Sequence, residues 1–252
     1  MDISKLTING RAIYLAYDHG VEHGPVDLIG KSIDPNYILD ISVKGNYNAV
    51  VLQKGVAEKY YTKEYCKKIP LIIKMNGKTS FSQGEPISRQ VCSVDEAVEL
   101  GAAGVGYTIY LGSKYEAEML QEFAKIEEEG HKKGLVVLAW VYPRGEAVKD
   151  ETSPEITAYS ARLALEMGAD IAKIKYCGSV ECFKKAVEAA GRTKVVLSGG
   201  PKTEKPEEFL ETVKNVMAAG AIGVAVGRNV WQSKEPLEMT QKIKEIIFKI
   251  KN

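Results

Sequence analysis

Lys173 and Lys175 stand two residues apart in the apolar stretch Asp170-Ile-Ala-Lys-Ile-Lys175. If that stretch is a strand, both side chains point to one face. An ammonium on the inner face of a sheet or barrel loses hydration, which lowers its pKa, and a neighbouring cation lowers it further. The product is an amine able to attack a carbonyl near neutral pH. The alternative is a lysine reaching solvent from a frayed strand end. What decides between them is the company the strand keeps.

That company is rich in reactive groups. Trp140 and Tyr142 share a face of another apolar run, so Tyr142 can reach Lys173 or whatever is bound to it. Cationic lysines nearby are expected to favour its phenolate and suit it to acid/base work. The motif Ala16-Tyr-Asp-His-Gly-Val-Glu-His-Gly-Pro25 places Asp18 on the face of Tyr14 and Ala16, an inward carboxylate that gains from buried lysines. Two glycine turns, Ser198-Gly199-Gly200 and Gly227-Arg228, offer backbone amides for an anion, and Arg228 adds a bidentate donor. Lys175 is expected to tune Lys173 or to bind substrate oxygens. Arg144, His23 and Lys54, in that order, are candidates for a second anion.

The elements that must position these groups alternate along the chain. Apolar runs at 12–18, 48–53, 71–75, 104–110, 135–142, 170–175, 194–198 and 222–227 read as strands. Amphipathic stretches at 35–44, 94–100, 114–133, 154–167, 180–190, 205–219 and 237–251, with a shorter one at 57–67, read as helices. Gly ends helices before a strand in Glu99-Leu-Gly-Ala-Ala, Glu166-Met-Gly-Ala-Asp and Ala218-Ala-Gly-Ala-Ile, and Pro35, Pro154 and Pro206 open others. Eight strand–helix units predict an α/β fold, a (β/α)₈ TIM barrel forming a single domain over residues 1–252, with an open doubly wound sheet as the runner-up. Polar groups gather at the strand C-terminal ends, where barrel active sites form; the strand starts show no equivalent pattern.

Composition excludes other classes. A net charge of +1 with interspersed signs gives no support for nucleic-acid or anionic-membrane binding. The N-terminus lacks a signal-peptide core and no segment is long enough to span a bilayer, so the expected location is cytoplasmic. The four cysteines, Cys66, Cys92, Cys177 and Cys182, form no CxxC pair and are expected to be free thiols. With three histidines, His19, His23 and His131, no dedicated metal site is expected.

With these residues in place, the chain resembles archaeal-type class I fructose-bisphosphate aldolases nearly end to end. The resemblance is carried by the motif at 16–25, Trp140-Val-Tyr-Pro-Arg-Gly145, Lys173-Ile-Lys175, Ser198-Gly-Gly200 and Gly227-Arg228. It implies a metal-independent lyase of glycolysis and gluconeogenesis, with Lys173 as the Schiff-base lysine, Tyr142 as the proton-transfer residue and Asp18 as a further acid/base group. It further implies that Ser198, Gly199, Gly200, Gly227 and Arg228 hold a sugar phosphate and that Trp140 lines the pocket. No cofactor is implied besides the covalent link to substrate, and the family tends to form large homo-oligomers such as decamers. The Glu22-His23 pair looks like this branch rather than the related Schiff-base branch that condenses other sugar phosphates (2-amino-3,7-dideoxy-heptulosonate synthase type). A non-catalytic phosphate-binding barrel is the farther alternative.

Overall fold

The structure, a computed structural model, describes residues 2–249, so the end of the helix expected at 237–251 lies outside the described residues. Eight parallel strands close into a barrel: β1 (Ala12–Ala16), β2 (Ala49–Gln53), β3 (Leu71–Lys74), β4 (Gly104–Leu111), β5 (Val136–Pro143), β6 (Ile171–Ile174), β7 (Lys194–Ser198) and β8 (Gly223–Val226). Each pairs with its sequence neighbours, and β8 closes on β1 in the register Ala12↔Gly223 to Leu15↔Val226. The ring is closed, which excludes the open sheet.

Strand parity separates two cores. Ala12, Tyr14, Val51, Ile72, Leu138, Trp140, Ile171 and Val196 pack inside the barrel. Their alternates, including Ile13, Leu15, Ile73, Val141, Ala172 and Leu197, pack with the helices outside. Each fully buried aliphatic side chain contributes about 1.5–3 kcal/mol of favourable transfer. The same parity turns Lys74 inward after Ile72 and Lys173 inward after Ile171.

The helices begin where local chemistry starts them. α1 (Gly20–His23) is a single turn after β1; α2 (Pro35–Lys44) has Asp34 as its N-cap. The stretch expected as one helix at 57–67 is two, α3 (Lys54–Tyr60) and α4 (Lys63–Cys66), interrupted at Tyr61 and Thr62. Next come α5 (Val94–Glu99) and α6 (Glu116–Lys132). α7 (Pro154–Glu166) and α8 (Val180–Ala189) are capped by Ser153 and Ser179, whose side chains accept from Ile156 N and Cys182 N, each cap contributing about 1 kcal/mol. They are followed by α9 (Pro206–Ala218), the short α10 (Arg228–Trp231) and α11 (Pro236–Phe248). A small antiparallel pair, Asn76–Gly77 with Arg89–Gln90, follows β3. Buried Asn76 ties it to β4: its side chain donates to Thr108 O at 2.8 Å and accepts from Thr108 N at 2.9 Å.

The cysteines depart from the all-free expectation. Cys177, in the loop after β6, is disulfide-bonded to Cys182 in the first turn of α8, while Cys66 and Cys92 are free. The two halves lie five residues apart on a loop and the helix it enters, a juxtaposition that the CxxC pattern does not describe.

Candidate active site

A cavity of about 490 Å³ opens at the C-terminal ends of the strands. Asp18, His23, Trp140, Tyr142, Arg144, Lys173, Lys175, Ser198, Gly199, Gly200, Gly227 and Arg228 all line it, gathered from five strand ends and the loops beyond them. Lys54 is the exception. It lies on α3 and pairs with Glu96 at 2.8 Å, outside the cavity, and it drops out as an anion ligand.

Trp140 forms the floor. Its indole is 1% exposed and lies across the position where β4 carries Gly106; a Cβ there would stand 1.2 Å from the indole Cζ3. Lys173 Nζ sits 5.1 Å from the Trp140 ring centroid. Lys173 is buried, and that burial pushes its ammonium pKa down, while Asp18 and Glu22 pull it partly back. Lys175 is not the tuner that the sequence suggested. β6 ends at Ile174, and the Lys175 ammonium is bound by Glu151 at the mouth, where Arg144 Nε lies 3.5 Å from the same carboxylate.

Asp18 is buried just past β1. Burial opposes its ionisation, yet the Lys173 ammonium, the His19 ring and the Lys74 ammonium together hold its carboxyl well below the usual range. Gln53 Nε2 reaches from the end of β2 to Asp18 O at 3.4 Å and Asn76 O at 3.1 Å, fixing the backbone on either side of the cavity. His19 stacks on Trp231 of α10, with centroids 5.5 Å apart. Gly227 permits that packing, since a Cβ would come within 2.9 Å of Ala16 O and 3.0 Å of the His19 ring.

Tyr142 exchanges a hydrogen bond with Ser198 Oγ at 3.1 Å. Its phenol moves opposite to the sequence expectation. Burial pushes the pKa well above the ordinary tyrosine value, outweighing the opposing effects of Ser198 and Lys74. Tyr142 therefore faces the cavity as a protonated donor, not as a phenolate.

The glycine turns lie side by side at the ends of β7 and β8. Asn229 of α10 joins them, donating to Gly199 O at 3.0 Å and Pro201 O at 2.9 Å. Arg228 Nη1 donates to Asp27 Oδ2 at 3.1 Å, and His23 Nδ1 lies 2.7 Å from the same oxygen.

Sequence reasoning placed Lys74 among the polar strand ends but gave it no role. It is 1% exposed, points into the cavity from the end of β3, lies 5.8 Å from the Trp140 centroid and bonds Glu22 of α1 at 3.1 Å. Its inward parity after Ile72 was readable; the partner 52 residues away was not.

Known proteins share this fold. The model of the DeoC/LacD family of aldolases matches residues 12–233. The class 1 fructose-bisphosphate aldolase of Thermoproteus tenax is 50% identical over 241 residues, 95% of this chain and 90% of the relative. The fructose-bisphosphate aldolase/6-deoxy-5-ketofructose 1-phosphate synthase of Methanocaldococcus jannaschii is 38% identical over 99% of this chain and 84% of its own length. An archaeal fructose-1,6-bisphosphate aldolase, solved with its catalytic Lys covalently bound to the carbinolamine intermediate of the substrate, is 48% identical, superposes with a TM-score of 0.93 and is matched over 98% of both chains. With a buried lysine at the end of its sixth barrel strand and a family match over most of its length, this chain belongs to the DeoC/LacD family of aldolases.

Proposed function

We propose that the chain is a class I, Schiff-base fructose-1,6-bisphosphate aldolase that reversibly cleaves the ketose bisphosphate into dihydroxyacetone phosphate and glyceraldehyde 3-phosphate. The observation that carries the reading is Lys173: a buried lysine with a lowered pKa, in a cavity that Tyr142 and Asp18 also line.

The Lys173 amine attacks the ketone carbon, and loss of water leaves a protonated iminium that serves as the electron sink. Ionised Asp18 takes the proton from the fourth-carbon hydroxyl as the bond between the third and fourth carbons breaks. Its electrons pass to the iminium, giving an enamine, and the aldehyde departs. Protonated Tyr142 then delivers its proton to the enamine carbon, and water hydrolyses the resulting iminium. Ser198, the amides of Gly199, Gly200 and Gly227, and the Arg228 guanidinium hold one phosphate. Arg144 and Lys175 at the mouth take the other, released from Glu151 when the phosphate arrives, while His23, held with Arg228 on one oxygen of Asp27, lies on the side of the first.

The setting proposed is the cytoplasm, in glycolysis and gluconeogenesis, with sugar phosphates as ligands and no nucleic-acid or membrane partner. No helix among the described residues is long and apolar enough to cross a membrane. A homo-oligomer, decameric as is usual in the resembling family, is part of the same proposal.

Incubation with dihydroxyacetone phosphate, borohydride reduction and peptide mapping by mass spectrometry should place the adduct on Lys173. An adduct on Lys175, or none at all, would overturn the reading. The double name of the M. jannaschii relative favours a second reading, condensation of other sugar phosphates. Steady-state cleavage of fructose 1,6-bisphosphate separates the two, because a dedicated condensing enzyme leaves it intact.

A further inference from the structure

The cavity contains two inward lysines, not one. Lys74 and Lys173 are both buried, both line the cavity, and both ammonium groups lie over the Trp140 indole, at 5.8 and 5.1 Å from its centroid. Either nitrogen is therefore placed to reach one ketone bound in the cavity. Their carboxylate partners distinguish them.

Lys74 Nζ is hydrogen-bonded to Glu22 Oε1 at 3.1 Å, and Tyr110 reaches the other Glu22 oxygen at 3.3 Å. Although burial opposes its ionisation, Glu22 is held below the ordinary carboxylate value by Lys74. Among the described residues no carboxylate lies within ion-pair distance of Lys173. We propose that Glu22 selects the nucleophile: by engaging Lys74 as an ammonium it leaves Lys173 as the amine that forms the imine. The inference rests on the Schiff-base reading above and adds to it a residue that acts through another. Glu22 is a positioning residue here, and Lys74 is a nucleophile kept in reserve.

The groups around the two lysines leave this assignment to Glu22. Asp18 and His19 face them from the end of β1, Tyr110 from β4, and Tyr142 and Arg144 from β5. Arg144 and Lys175 share Glu151 at the mouth, and His23 and Arg228 share Asp27. Asp18 acts on Lys173 through space, while among the described residues the one carboxylate bonded directly to either inward lysine is Glu22's, on Lys74.

Without the Glu22 carboxylate, the Lys74 nitrogen is released from its ion pair and, as the free amine, can attack. That nitrogen forms a bond to the ketone carbon of dihydroxyacetone phosphate as the carbonyl π bond breaks. Water leaves with the former carbonyl oxygen, and borohydride delivers hydride to the iminium carbon, fixing a secondary amine.

The test uses the full chain in four forms, each trapped with dihydroxyacetone phosphate and borohydride and mapped by mass spectrometry. The wild-type chain should be modified at Lys173, and Lys173→Met should yield no adduct. Lys173→Met with Glu22→Gln should acquire an adduct at Lys74, released from its ion pair. Lys173→Met with Glu22→Asp, which keeps the charge, should return toward none. In Glu22→Gln alone, the pH at which Lys173 becomes trappable should fall, because Glu22 favours its protonated form. Absence of a Lys74 adduct in the Glu22→Gln double variant, with that variant folded by circular dichroism, would overturn the inference while leaving Lys173 intact. If the double variant does not fold, Glu22→Gln alone is trapped and mapped, and an adduct confined to Lys173 would overturn it instead. Failure of the wild-type chain to trap at Lys173 would instead overturn the proposed function.

Discussion

Tyr142 and Lys173 are both pushed by burial, and in both the push favours the uncharged side chain, with opposite chemical results. A lysine that sheds its proton becomes a nucleophile, whereas a tyrosine that keeps its proton becomes an acid. Tyr142→Phe should therefore lower kcat about 10²–10⁴-fold, the usual range for a proton-transfer group, while the borohydride-trapped adduct at Lys173 persists. Loss of the adduct along with the turnover would contradict that division of labour. The pH dependence follows from Lys173. The neutral amine is the competent form and the pKa is lowered, so the trapping rate should rise with pH and level off below the ~10.4 of an ordinary lysine. A midpoint at or above that value, measured by initial trapping rates across pH, would show an unperturbed lysine. The direction of the Tyr142 shift was not legible in the chain. Counting nearby lysines gave the wrong sign because the desolvation of a half-buried phenol outweighs cations whose charge is shared with Asp18 and Glu22.

Among the elements, β4 shows how far a single position can govern a neighbour. Gly106 leaves the space that the Trp140 indole fills, so Gly106→Ala forces a flat aromatic out of a closed barrel. Overpacking of this kind costs about 1–3 kcal/mol, and thermal unfolding should show the loss. Activity should fall further than stability does, since Lys173 and Lys74 both rest over that ring. The link between Cys177 and Cys182 makes a separate prediction. Closing so short a loop contributes about 2 kcal/mol in the chain-entropy treatment. A Cys177→Ser, Cys182→Ser variant should melt earlier by a corresponding amount, and reductant should bring the wild-type chain down to it. Indifference of the wild-type melt to reductant would mean that the bond contributes nothing.

At the scale of the whole molecule, the barrel was legible because its strands are continuous apolar runs, separated by helices with Pro, Gly and Ser at their ends. The inward set followed from parity alone: Asp18, Trp140, Tyr142 and Lys173 could be placed on one cavity without coordinates. Partners across the barrel could not, because Lys74 and Glu22, or Lys175 and Glu151, meet only once the ring closes and the loops fold over its mouth. Lys54 misled for a related reason. It directly follows β2, but its residue opens α3 and leads outward to Glu96. On the outer surface, Val26, Ile29, Ile33 and Phe81 in the loops after β1 and β3 are exposed, Phe81 to 87%. If they seat another copy of the chain in the proposed oligomer, Phe81→Asp with Ile33→Asp should lower the mass seen by light scattering. An unchanged mass would place the contact elsewhere.

The indole floor has a consequence for traffic. Below Trp140 the barrel is filled by Leu138, Tyr14, Ile72 and Val196, so the chamber is a cul-de-sac with its one doorway at the strand ends. Whatever departs first must be the fragment nearer that doorway, and the water that frees the second fragment must come in along the path the first has vacated. Tethered to the Lys173 nitrogen at the blind end, the ketone half is the last out by its bond and by its position alike. A barrel plugged at one end thus writes the order of product release into its shape.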